Sequence, residues 1–307
     1  MTIIRHLILA VAALPALSSV FGAEPQTTSS VRSPEQSGFP ENVVMLAVTQ
    51  SGKERLKTPV ARYMNAEGRT VDLVGAVHLG DARYYKNLNR AFARYDKVLY
   101  EMVDGEDLPE LTRIARKVKA GTATPEELAR HEKYLREKES GGMASRLLGG
   151  YYSYVAELTQ LSLQSDVVDY GLDNLVYADM SMDEFRAAMA ERGESWMTLL
   201  WDGLSESSFS DATSGGLASD PQGLRRRIAQ VLVQGARSGS RTEQRAIIVS
   251  RNARCFEVLD HLLASDAQAR RVAIFYGAMH LRDMHARLLE RGFTLQGVQW
   301  ITAITVN

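Results

Sequence analysis

Thr70-Val71-Asp72-Leu73-Val74-Gly75-Ala76-Val77-His78-Leu79-Gly80 is the stretch that decides the fold. It opens as a short apolar, β-branched run, the composition of a strand. Gly75 then frees the backbone to turn, and His78 follows three residues later. Upstream, Val60 to Met64 is a second apolar run, and Asn65-Ala66-Glu67-Gly68 between the two reads as a hairpin turn. Downstream, Asp81 stands where a helix cap belongs. Tyr84, Tyr85, Leu88, Ala91 and Phe92 share one helical face, and Arg90 and Arg94 suit the negative end of the helix dipole. Lys97 to Val103 is the next strand. This strand–helix–strand unit predicts a parallel pair with a right-handed crossover. The fold class expected is α/β of the mixed α+β kind, with a central mixed sheet, a parallel strand–helix–strand core and a large helical insertion.

The same pattern returns about two hundred residues later. Val272 to Tyr276 reads as a strand, and Gly277-Ala278-Met279-His280 follows it. Composition alone gives about 0.45 Gly-x-x-His matches in such a chain, so two are mildly unusual. Each ends a short strand and precedes an amphipathic helix. That junction is the carboxyl end of a strand, where open α/β sheets bind ligands. The reading therefore brings His78 and His280 together in one crevice.

Glu101 interrupts an apolar strand run, and a buried, unpaired carboxylate is costly. It requires a cation, a metal or several donors. Two neutral imidazoles and a carboxylate make a ligand set common in hydrolytic metal sites, which gives His78, Glu101 and His280 as metal ligands. On a long helix from about Thr242 to Ala264, Ile248, Val249, Phe256, Leu259 and Leu262 mark the apolar face. Arg251 and Asn252 lie at its edge. Arg251 either pairs with Glu101 as a structural partner or holds an anionic or carbonyl oxygen. Glu101, Arg251 and Asn252 are the candidate catalytic residues.

Between these elements, residues 107 to about 200 read as mostly helical, within an insertion of about 107–240. Thr124-Pro125-Glu126-Glu127 and Ser181-Met182-Asp183-Glu184 are capping boxes, with Gly193 closing the second helix. Asp179, just before the second box, reads as a turn residue. Residues 205–221 read as a loop. Met284, Leu288 and Leu289 mark a short helix ended by Gly292, and Phe293 to Val306 supplies one or two final strands.

Arg5 and His6 precede an almost unbroken apolar stretch from Leu7 to Leu17, and small residues follow up to Ala23. This is the pattern of a secretory signal peptide over 1–23, cut after Gly22 or Ala23, and too short for a comfortable membrane span. Residues 24–42 read as a flexible tether, and 43–307 as a single domain. The expected location is periplasmic or secreted, with no stable membrane span after cleavage. Lys and Arg number 36 against 37 Asp and Glu, so no basic excess points to nucleic acid. Arg225-Arg226-Arg227 reads as a solvated helix face. The single cysteine, Cys255, excludes an internal disulfide and reads as a small buried hydrophobe. His131, His261 and His285 read as structural or solvent-facing residues. The chain has no Gly-x-Ser-x-Gly elbow, no His-Glu-x-x-His and no phosphate-binding glycine loop.

Taken together, Val74 to Gly80, the Glu of Leu99-Tyr100-Glu101, Arg251-Asn252 and Tyr276 to His280 resemble the TraB/TIKI/GumN superfamily. Two Gly-x-x-His motifs, a Glu after the first and an Arg before the second His mark that family. Tyr177-Ala178-Asp179-Met180-Ser181 also resembles a family segment. The resemblance spans roughly residues 70 to 285. It implies a fold related to erythromycin-esterase-like (EreA) and ChaN-like proteins, and a divalent-metal-dependent hydrolase of the peptidase type acting on a peptide or protein substrate. The metal expected is zinc, manganese or cobalt. The alternative is a ChaN-like protein that binds haem or another ligand through His or Tyr side chains without catalysis.

Overall fold

The computed structural model describes residues 38–139, 153–194, 220–237 and 246–306. The expected signal peptide (1–23), the larger part of the expected tether, and 205–219 of the expected loop lie outside them. The chain is mixed α/β. Its strands are β1 (Met45–Val48), β2 (Glu54–Met64), β3 (Thr70–Ala76), β4 (Leu79–Gly80), β5 (Lys97–Tyr100), β6 (Ser162–Leu163), β7 (Leu175–Tyr177), β8 (Arg271–Gly277) and β9 (Thr294–Val306). The main sheet runs β1-β2-β3-β8-β5-β7, and β9 also pairs with β2. The strands β3, β8, β5 and β7 are parallel, whereas β1, β2 and β9 pair antiparallel.

The hairpin of β2 and β3 forms as expected, with Val60 opposite Val74 and Met64 opposite Thr70. The parallel pair does not. β8 lies between β3 and β5, pairing with both. Residues 71–76 of β3 and 272–277 of β8 are buried throughout, as strands covered on both faces must be. Such strands belong in the middle of a sheet, and β8 supplies the second strand that β3 needs. Residues 107 to 200 are mostly helical where described, as expected. They also contribute β7, the strand beside β5.

Helix α1 (Ala82–Phe92) buries Tyr84, Tyr85, Leu88 and Phe92 against the sheet, with the Phe92 ring 4.8 Å from that of Phe275. Ala91 is exposed, one position off the face assigned to it. Asp81 precedes the helix but makes no side-chain cap. Its carboxylate takes the Thr305 N–H at 2.8 Å and an ion pair from Arg225 instead. Arg225 is therefore not on a solvated face. It is 8% exposed and donates to the carbonyls of Thr159 at 2.8 Å and Thr305 at 3.0 Å, tying helix α6 (Pro221–Arg237) to β9.

Further helices are α2 (Leu108–Ala120), α3 (Pro125–Glu139), α4 (Gln164–Val167), α5 (Met182–Glu191), α7 (Val249–Ser265) and α8 (Leu281–Glu290). Both capping boxes form: Thr124 with Glu127, and Ser181 with Glu184. Gly193 and Gly292 end their helices at φ 65° and 77°, a region that favours glycine. Cys255 is fully buried. Phe39, inside the expected tether, is buried and stacked on His285 at 4.6 Å. No helix among the described residues is long and apolar enough to cross a membrane.

Candidate functional site

Four neighbouring parallel strands each deliver one polar residue just past their carboxyl ends. β3 leads to His78, β8 to His280 through a 3-10 turn at Ala278–His280, β5 to Glu101 and β7 to Asp179. β5 ends at Tyr100, earlier than expected, so Glu101 stands at the rim of the sheet rather than within it. The parallel register sets Ala76 beside Gly277, and the Glu101 N–H donates to Phe275 O at 3.2 Å, which holds these ends level.

Gly277 is the hub. A Cβ placed there would lie 3.4 Å from Glu101 Oε2, 3.7 Å from His280 Cδ2 and 3.7 Å from His78 Nε2. One small opening thus faces both imidazoles and the carboxylate, and the absence of a side chain on Gly277 keeps it open. The Gly277 N–H donates to Glu101 Oε2 at 2.6 Å. Glu101 Oε1 meets Arg251 Nη2 at 2.7 Å and stands 3.7 Å from His280 Nε2.

An amide side chain steers each histidine. His280 Nδ1 is 2.6 Å from Asn252 Oδ1, while Asn252 Nδ2 donates to His280 O at 3.2 Å and Asp283 Oδ2 at 2.7 Å. The amide oxygen is left to accept, so the imidazole carries its proton on Nδ1 and a bare lone pair on Nε2. That Nε2 is buried without a hydrogen-bond partner. His78 repeats the arrangement, with Nδ1 3.2 Å from Gln164 Oε1, whose Nε2 is spent on Tyr170 Oη at 3.0 Å. Gln164 reaches His78 because β4 pairs with β6, Leu79 opposite Leu163. Sequence reasoning missed Gln164. The two-residue strand that brings it is too short to leave a periodic signal.

Arg251 is 1% exposed and gripped from two sides. Asp179 takes its Nε at 2.9 Å and Nη2 at 2.6 Å, a bidentate pair, while Nη2 also serves Glu101. Its Nη1 is buried without a partner. Asp179 is therefore no turn residue but a fully buried member of the cluster. Asn252 stands behind His280, on its Nδ1 side.

The electrostatics follow from burial and these pairings. Burial works to raise the Glu101 carboxyl, but Arg251 foremost, with the Gly277 N–H and the two histidines when protonated, outweighs it and holds it at about 2. Burial lowers His280 to about 3 and lowers His78 as well, so both rings are neutral at physiological pH. Burial raises the Asp179 carboxyl against the pull of Arg251, and the neighbouring Glu101 charge adds to the rise.

The donor chemistry fits a divalent cation: two neutral imidazoles and an ionised carboxylate gathered around Gly277, with the Nε2 of His280 lacking a hydrogen-bond partner. The spacing is not yet that of a coordinated ion. Among the described residues no three His, Cys, Asp or Glu side chains stand close enough together to coordinate one. Both Glu101 oxygens are already held, by Arg251 and by Gly277.

A profile of the TraB/PrgY/gumN family matches residues 63–296, and the chain belongs to that family. Comparison with curated proteins and with solved structures gives no match.

Proposed function

We propose that this protein is an exported hydrolase of peptides that depends on a divalent cation held by His78, His280 and Glu101. The observation that carries the reading is the buried, partnerless Nε2 of His280, with His78 Nε2 and Glu101 facing the same Gly277 opening. A buried ring nitrogen without a partner is uncommon and asks for an explanation. Two carboxylates also share a single guanidinium in this cluster. A cation beside the imidazoles offsets the second, costly negative charge. Export rests on the signal-peptide pattern at 1–23, and the peptide substrate on the resemblance drawn from the sequence.

Each residue then has a definite task. Gln164 and Asn252 fix the imidazole tautomers that present Nε2. Arg251 keeps Glu101 ionised and immobile. Glu101, at about 2, acts as a fixed charge rather than a proton carrier near neutral pH. The cation, when bound, supplies Lewis-acid polarisation of the scissile carbonyl and a more acidic water.

The test is elemental analysis of protein dialysed against zinc, manganese and cobalt, beside mass-spectrometric scoring of a mixed peptide library. One ion per chain and chelator-sensitive cleavage are expected. Cleavage that survives chelation, or no ion bound at all, overturns the reading.

A further inference from the structure

Next to the cluster lies a cleft whose character the site chemistry does not explain. Its floor is the junction of β3 and β8, with Val77, Ala278 and Met279 beside His78 and Gly277. One wall is α6, through Leu232 and Ala236, and the other is Val44, just ahead of β1. Among the described residues that line it, His78 alone carries a titratable side chain. The two walls are fastened to each other. Arg282, on α8, donates from Nη2 to Ala236 O at 3.0 Å and from Nε to Glu41 O at 3.1 Å. Phe39 pins the same N-terminal segment by stacking on His285. The cleft is thus held in shape without a ligand.

From this we infer that the cleft is a specificity pocket for one short aliphatic side chain of a peptide, and that Leu232 sets its depth. The inference rests on the peptide reading above and adds the kind of side chain the site selects. Three observations carry it. The cleft, open on one side, has room for about two or three water molecules, which suits a short side chain such as that of alanine or valine better than an aromatic ring. A charged side chain placed there would find no charged partner among the described lining residues and would lose part of its hydration. The pocket is continuous with the site, because His78 and Gly277 belong to both. A side chain seated in it leaves its own backbone carbonyl beside His78 and Gly277.

The experiment is ligand-observed NMR titration of the purified protein, without added metal, using capped tripeptides Gly-X-Gly. Peptides with X alanine or valine should bind at least about tenfold more tightly than those with X aspartate, lysine or phenylalanine, the scale on which a shaped apolar pocket discriminates. Leu232→Ala should recover phenylalanine binding to within about threefold of valine, and Leu232→Asp should remove the preference for aliphatic residues. Equal binding of all five peptides, or a preference that neither Leu232 variant alters, overturns the inference. Because binding is read without metal or turnover, failure of the hydrolase reading shows separately, as absent metal uptake and absent cleavage with the binding preference intact.

Discussion

The two Gly-x-x-His turns share a pattern and a place in the sheet, yet they do different physical work. At the first, a Cβ on Gly75 would lie 3.0 Å from Leu281 Cδ2 and 3.2 Å from Pro59 Cδ. Gly75 is there so that residues following the second turn can pack against the first. At the second, a Cβ on Gly277 would make ordinary contacts, and what it would face is the site itself. The histidines differ likewise. His280 is wholly buried, whereas His78 is half-buried and lines the cleft. The first turn is thus the open side of the site and the second its dry side. A repeated motif therefore does not imply repeated roles, and the difference lies in what surrounds each glycine.

The largest expected effect removes what both turns lean on. Arg251→Ala strands two buried carboxylates, Glu101 and Asp179, and should cost about 3–5 kcal/mol of stability in chemical denaturation. A loss within about 0.5 kcal/mol would mean the cluster is solvated and the site is not dry.

The glycines give the sharpest contrast. Gly75→Ala should cost about 1–3 kcal/mol through overpacking and leave cation affinity nearly unchanged. Gly277→Ala should leave the thermal midpoint nearly unchanged and abolish cation binding, because its methyl group fills the opening between the ligands. Exchange of these two outcomes would break the comparison.

The amides test the dry and open sides more finely. Asn252→Leu and Gln164→Leu should weaken cation binding within the roughly 10–100-fold range typical of partners behind a ligand. Asn252 should fall at the upper end, because no water can replace it behind a fully buried His280. Gln164 should fall at the lower end. Equal losses in a competitive titration would show that burial does not separate the two histidines.

The smallest effect is a pH slope. His280 stays neutral in the fold until about pH 3, while the unfolded chain takes up that proton near its ordinary value of 6.5. The unfolded state therefore binds more protons in between, and stability falls as pH drops from 6.5 towards 3. Glu101, lowered from 4.5 to about 2, adds a loss of the same sign below pH 4.5. His280→Gln should flatten the slope of the metal-free protein between pH 6 and 5 by up to about 1.4 kcal/mol per unit. An unchanged slope in urea titrations would place His280 in contact with water.

Much of this was legible in the sequence. The hairpin, the capping boxes, the strand ends carrying His78 and His280, and the meeting of Glu101 with Arg251 follow from local patterns and from the cost of burying charge. What was not legible is non-local. The position of β8 between β3 and β5 depends on pairing across about two hundred residues, although the unbroken apolar runs of β3 and β8 were a usable hint of central strands. Asp179 resembles a turn residue because it precedes a helix cap, and only the fold sets Arg251 against it. Arg225 resembles a surface charge because its two basic neighbours do, and only β9 and Asp81 make it a buried tie. Gln164 left no signal at all, since a pairing two residues long delivers it.

The most direct test of the central claim, that both turns build one cation site, is a zinc titration of the wild-type protein beside His78→Ala, His280→Ala and Gly277→Ala, each with a folded circular dichroism spectrum. The account predicts one ion per chain for the wild type and at least a 100-fold weaker affinity in all three variants. Binding of no ion by the wild type, or undiminished binding by either histidine variant, would contradict it.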